Sequence, residues 1–183
     1  MKNRSYRRFH ESHAMSREVL ESLVNLTRLS ASAANKQPLR FMLSWEKEKN
    51  QNLFPTLAWA GYLSDWDGPI EGERPSAYII MLADSELSTK WTAFDAGIAC
   101  QSILLGATDL GFGGCIIGSV QREVLRSLLA IPPQYEILLV IALGKPREIV
   151  EIEPLQNNQV EYWRDNDGVH HVPKRSLKDI ILT

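Results

Sequence analysis

Ser30-Ala-Ser-Ala-Ala-Asn-Lys-Gln-Pro-Leu-Arg-Phe41 stands between two periodic segments of opposite kind. Before it, Leu20, Leu23, Val24 and Thr27 fall on one face of a helix that Ser16 can cap. After it, Leu39, Phe41, Leu43 and Trp45 alternate with Arg40, Met42 and Ser44, which predicts a strand with one buried face. Pro38 blocks continuation of the helix and pushes Gln37 toward extended backbone. The small residues, Ala33 among them, let backbone approach a flat ligand, while Ser32, Asn35 and Gln37 offer donors and acceptors of fixed reach. The segment reads either as a capped helix-to-strand loop or as a turn aimed into a crevice that takes a planar polar ligand.

Further along, Lys47 to Asn52 is polar and expected as a loop, and Leu53 to Leu63 as a helix. Trp59, Tyr62 and Trp66 then read as pocket lining or as core or subunit contacts. Ala77 to Ala83 and Tyr135 to Leu143 are near-continuous apolar runs, as expected of strands covered on both faces. Between them, Ser88 or Thr89 opens the longest predicted helix, which runs to about Leu110 before Gly111. Apolar nearly all round, it belongs in the core or against another subunit, and Ala93, Ala96, Gly97 and Ala99 favour the subunit contact. Gly111 to Ser119 carries four glycines in neither the GxGxxG nor the GxxxxGK[ST] spacing and is expected as a loop. A short helix over Val120 to Ala130, an extended stretch over Glu148 to Asn158 and a hairpin turning at Asp165 to Gly168 complete the pattern.

The totals narrow the class. A chain of 183 residues suits one domain, here 1–183. A net charge of -2 leaves no global nucleic-acid footprint. No apolar run approaches the ~20 residues of a membrane span, and the basic N-terminus lacks the apolar core of a secretory signal. Cys100 and Cys115, in small apolar surroundings, read as reduced thiols of a cytoplasmic protein. His170 and His171 are adjacent, face opposite sides of a strand and cannot chelate one metal, so no metal site is expected.

Two basic segments flank everything else. Arg4-Ser5-Tyr6-Arg7-Arg8 suits phosphate oxygens or is a solvated terminus. Lys174 and Arg175 precede a possible Ser176 cap with Asp179 three residues on, and read as a second phosphate site or a solvated turn.

RSYRRF near the start, SASAANKQP about twenty-five residues later, a small-residue helix followed by glycines and a basic residue near the end occur in an order that resembles the FMN-dependent nitroreductase family. The resemblance spans essentially the whole chain. It implies an α+β nitroreductase-like fold, with a central, mostly antiparallel sheet flanked by helices, built as an intertwined homodimer with FMN at the subunit interface. It implies Arg4 and Ser5 as phosphate and ribityl contacts, and Arg7 as the cation near the flavin N1/O2 edge. Ser32, Ala33, Asn35 and Gln37 match the turn that reaches the flavin from the partner subunit. Ile117 and Gly118 match the loop whose backbone faces flavin N5, and Lys174 or Arg175 the C-terminal phosphate cation. The implied chemistry is ping-pong hydride transfer from NADH or NADPH through FMN to a small-molecule acceptor such as a nitroaromatic or quinone. Asn3, Leu39 and Ala31 depart from the family pattern. Competing expectations are a flavin-binding sensor or carrier without turnover, a relative specialised for one metabolite, and an interaction protein with no cofactor.

Overall fold

The apolar runs at the centre of the sequence become the centre of the sheet. In the computed structural model, which describes residues 2–182, β1 (Leu39–Ser44), β2 (Ala77–Asp84), β3 (Gly113–Ile117) and β4 (Tyr135–Gly144) form one four-stranded sheet in the order β1-β2-β4-β3. All its pairings are antiparallel. Helices α1 (Arg17–Arg28) and α3 (Thr92–Asp109) cover one face; α2 (Lys47–Leu53) and α4 (Arg122–Leu128) lie on the other. Because side chains alternate along a strand, Ile79, Met81 and Ile141 join Leu20, Leu23 and Ile103, while Tyr78, Ile80, Leu82 and Val140 join Leu53 and Leu125. Both faces are dry, hence the unbroken apolar runs. A second sheet, β5 (Val150–Pro154), β6 (Trp163–Arg164) and β7 (His170–Lys174), runs β5-β7-β6 with β5 parallel to β7, and the one-turn α5 (Leu177–Ile180) follows.

Ser16 caps α1 through its side chain, which accepts from the Val19 amide. Helix α3 starts at Thr92, later than Ser88 or Thr89, because the Thr89 amide donates to Thr92 Oγ1 (2.9 Å) and spends those residues on a lead-in turn. Ala96, Ala99, Cys100, Ile103 and Ala107 face the core, yet Phe94, Ile98 and Leu105 stay 63%, 42% and 52% exposed. One side of this apolar helix therefore has no cover among the described residues.

Four local expectations are corrected. Residues 47–53 form α2, not a loop: buried Asn50 accepts from Ser44 Oγ (2.7 Å) and donates to the Ser76 carbonyl (2.8 Å), so tertiary bonds stabilise a polar helix. Leu53 to Leu63 is not a helix. Only a single turn, Phe54–Thr56, forms around Pro55, after which Leu57 bridges to Val120 and the Ala58 amide bonds the Ser119 carbonyl (3.0 Å). β1 is covered on both faces, since Met42 joins the α2–α4 side and Ser44 is buried. The glycine stretch contains β3, not a loop alone, and its glycines answer crowding: a Cβ on Gly114 would stand 2.3 Å from the Ala142 carbonyl oxygen of β4.

Gly114→Ala must therefore push β3 off β4. We expect a loss of ~1–3 kcal/mol in unfolding free energy by denaturant titration. An unchanged midpoint would contradict this packing.

Candidate functional site

The basic N-terminal segment is stitched to the body by two carboxylates. Glu73 takes a forked pair from Arg8, Nε at 2.5 Å and Nη2 at 2.7 Å, with Arg147 at 3.5 Å. That bond from Arg8 holds the Glu73 carboxyl below the usual carboxylate range. Glu148, whose side chain is wholly buried, accepts from the backbone amides of Arg7 and Arg8 and from Arg164 Nη2 at 3.1 Å. The Tyr6 amide adds a bond to the Gly114 carbonyl (3.0 Å), and His10 one to Lys145 (2.8 Å). So fastened, the segment turns Arg8 into the body, while Arg4, Ser5 and Arg7 line a cavity of about 390 Å³.

Opposite them stand His170, Val172 and Lys174, alternate residues of β7 and so on one face of it. Gln101 from α3 and Ile116 from β3 close the sides. Arg4, Arg7 and Lys174 bring three cations to this space and, among the described residues, no carboxylate lines it, which is the chemistry of an anion site. A second cavity of about 250 Å³, lined by Trp59, Ile117 and Gly118, shares Arg7, Ile116 and Tyr162 with the first. Together they fall within the ~300–1,000 Å³ of small-molecule sites.

Arg7 sits at the junction. Its Cζ lies 4.8 Å over the Tyr162 ring and its Nη1 is 3.2 Å from His170 Nε2. Burial above all, and then the charges of Arg7 and Arg164, push His170 down to about 4. The ring is thus neutral at pH 7, its Nε2 accepts from Arg7, and the proton rests on Nδ1, which has no partner among the described residues. Cys115, beside Ile116, is driven up to about 12 by burial and is no nucleophile.

The SASAANKQP turn lies elsewhere, over a separate cavity of about 280 Å³ lined by Ser32, Gln37 and Asp95 among others. Asp95 of α3, itself buried, accepts from Ser32 Oγ (2.6 Å) and from the Ala33 amide (2.9 Å). Ser32 Oγ in turn accepts from the Gln37 amide (2.9 Å), and Gln37 Nε2 donates to Asn35 Oδ1 (3.1 Å). Ala34, Asn35 and Gln37 hold φ of 50°, 53° and 50°, a strained run that persists where surroundings over-determine it; Gln37, its amide bonded to Ser32 Oγ, is thus not the extended residue expected before Pro38. Within one copy this turn shares no lining residue with the cationic cavity. Arg175 does not line that cavity either: it donates to Asn158 Oδ1 at 3.1 Å. Glu148, Asp95, Tyr162 and His170 are the participants that sequence reasoning missed. Glu148, Asp95 and Tyr162 have no local signature in the sequence, and His170 beside His171 raises only the question of a metal ligand; near Lys174 the capping box of Ser176 and Asp179 does have one, which the structure forms.

A profile of the nitroreductase family matches residues 1–66 and 72–145. The chain belongs to the nitroreductase family. An Archaeoglobus fulgidus protein named as an NADH dehydrogenase/NAD(P)H nitroreductase is 29% identical over 149 residues, 77% of this chain and 80% of that one. A Cr(VI) reductase of Pseudomonas sp. strain G-1 is 22% identical over 171 residues, 84% of this chain and 68% of its own. Among solved structures, a nitroreductase family protein of Streptococcus pneumoniae superposes with TM-score 0.71 at 17% identity, over 100% of this chain and 96% of that one. An FMN-dependent nitroreductase of Clostridium difficile R20291 gives 0.64 at 24%, over 86% and 90%. The nitroreductase fold, with its antiparallel sheet between helices, and an oxidoreductase class follow from this membership.

His170 makes the site a source of acid sensitivity. The unfolded chain takes up a proton as pH falls through the ordinary ~6.5, while the folded ring waits until about 4. Its stabilising share is present above 6.5 and drains away between those values, on the order of 3 kcal/mol. His171, raised by Glu153 and Asp165, has the opposite slope: its share is lost as pH rises through its raised value. Urea midpoints measured from pH 7.5 to 4.5 should fall less steeply in His170→Phe than in the wild type, and parallel profiles would refute the neutral buried ring.

Proposed function

We propose that this family member is an FMN-dependent oxidoreductase that takes hydride from NADH or NADPH and passes it to a nitroaromatic, quinone or similar acceptor in ping-pong order. The observation that carries the reading is the cavity that Arg4, Ser5, Arg7 and Lys174 line together, with no carboxylate among its described lining residues. A flavin phosphate needs such a set, and the adjoining space past Arg7 and Ile116 gives a ring system room. The unpartnered Nδ1–H of buried His170 on the same wall also fits a site that receives an acceptor-rich ligand. Bound there, FMN supplies the redox chemistry, hydride acceptance and hydride delivery.

The chain's own residues bind and orient. Lys174, Arg4 and Ser5 hold the phosphate. Arg7, fixed by Glu148, Tyr162 and His170, presents permanent positive charge where negative charge gathers on reduction. The backbone at Ile117 and Gly118 forms the far rim, where no side chain intrudes, since nothing stands within 4 Å of a Cβ built on Gly118. Trp59 and Tyr162 wall the entrance that nicotinamide and acceptor use in turn.

The protein acts as a homodimer. Phe94, Ile98 and Leu105 leave an apolar strip on α3, the helix whose Asp95 holds the strained Ser32–Gln37 turn. A second copy covering that strip carries Ser32, Ala33, Asn35 and Gln37 to the flavin. The two buried thiols and the absence, among the described residues, of a helix able to cross a membrane support a cytoplasmic place.

Purified protein should be yellow, sediment as a dimer and lose its visible band within seconds of anaerobic mixing with NADH or NADPH; a flavin-loaded protein that both leave unbleached would be a carrier or sensor, not this enzyme. Hydrogen bonds to charged groups contribute roughly 1.5–3 kcal/mol, so Lys174→Ala should weaken FMN binding about 10- to 100-fold. Arg175→Ala should leave it unchanged, and the reverse pattern in fluorescence titrations would move the phosphate out of this cavity.

A further inference from the structure

A third region of the molecule carries polar groups that neither the fold nor the flavin site uses. At the junction of β1, α2 and β2 lies a cavity of about 370 Å³ lined by Trp45, Lys47, Arg74, Ser76, Tyr78 and Glu11, with further residues around its rim. It shares no lining residue with the cationic cavity or its neighbour.

Three groups on its wall lack protein partners. Ser76 is 7% exposed, and its Oγ is buried with no hydrogen bond among the described residues. Arg74 Nε is equally buried and has no hydrogen bond among the described residues, and its guanidinium stacks on Phe54, 4.3 Å from Cζ to ring centre. The Tyr78 hydroxyl, on a residue 1% exposed, makes no hydrogen bond among the described residues. Burial above all keeps that phenol protonated, hence a donor, while Arg74 is close enough to pull the other way. Stranded donors and a desolvated guanidinium cost stability, and they persist where a ligand completes them.

We infer that this cavity is a second binding site, for a small monocarboxylate with a flat unsaturated body. A carboxylate offers acceptors to Arg74, Ser76 and Tyr78 at once, and Arg74 supplies the planar fork such a group matches. Glu11 and Glu71 also line the cavity and select against ions of higher charge; Glu11, near enough to Tyr78 to favour its protonated form, is itself held by the amides of Gly72 (2.6 Å) and Arg74 (3.3 Å). Trp45, whose ring also has Arg17 Cζ at 5.7 Å and Lys49 Nζ at 6.0 Å from its centre, lines the cavity and gives the flat body an aromatic neighbour.

Benzoate is the probe, added to the flavin-loaded protein, and the readout is the Trp45 indole N–H signal in proton–nitrogen correlation spectra, assigned through Trp45→Phe. Benzoate should move that signal saturably with a dissociation constant of about 1 mM or below, while the neutral isostere benzamide should not. Arg74→Met should abolish the shift, and Ser76→Ala and Tyr78→Phe should each weaken binding roughly tenfold with FMN retained. Tyr78→Phe deletes only an unbonded hydroxyl, so it keeps the test alive if the arginine variant fails to fold. A Trp45 signal that stays still at about 10 mM benzoate, or one that responds alike in wild type and Tyr78→Phe, overturns the proposal.

Discussion

A single buried carboxylate anchors the basic N-terminal segment on which the cationic cavity depends. Glu148 has no water to solvate it, so its charge must be met by donors, and it takes three: two amides of the N-terminal segment and the guanidinium of Arg164 in β6. Those bonds join the start of the chain, the exit of β4 and the small second sheet. They fix the backbone at Arg7 so that its side chain has one direction left, over Tyr162 and against His170. Glu73 repeats the device one residue on, drawing Arg8 into the body. Two adjacent arginines thus acquire opposite duties from the acids that hold their segment.

The same logic governs the other turn of the resemblance. Asp95 rises from the first turn of α3 and gathers Ser32 and Ala33, so that three non-glycine residues stay at positive φ. A turn so constrained presents its amides and side chains as a preformed surface. Its cavity reaches Ile98 on the apolar strip of α3 and shares no lining residue with the cationic cavity of its own copy. In the proposed homodimer, the second copy would bring this turn to the cationic cavity of the first.

Legibility in the sequence followed the physics of each element. β2 and β4 could be read because helices cover both their faces, and α1 because Ser16 caps it. α2 could not, since its polar residues are stabilised by what Asn50 reaches across the fold. Glycines signalled crowding at residues 111–119 but could not say whether a loop or a strand is crowded; the Ala142 carbonyl beside Gly114 answers that. Motif order placed Arg4, Ser5, Arg7 and Lys174 among the candidates, yet the choice between Lys174 and Arg175 depends on which residues of β7 share a face with His170. Glu148 and Asp95 left no trace because a lone acid in sequence looks the same whether it is solvated or buried.

The central claim is that the fastened N-terminal segment and β7 together build a pocket for a phosphorylated flavin. Its most direct test is the ratio of affinities for FMN and riboflavin, which differ only in the phosphate, measured by fluorescence titration of the apoprotein at low and high salt. The account predicts that FMN binds about 100-fold tighter or more and that the gap narrows as salt screens the cations. Equal affinities at low salt would contradict it.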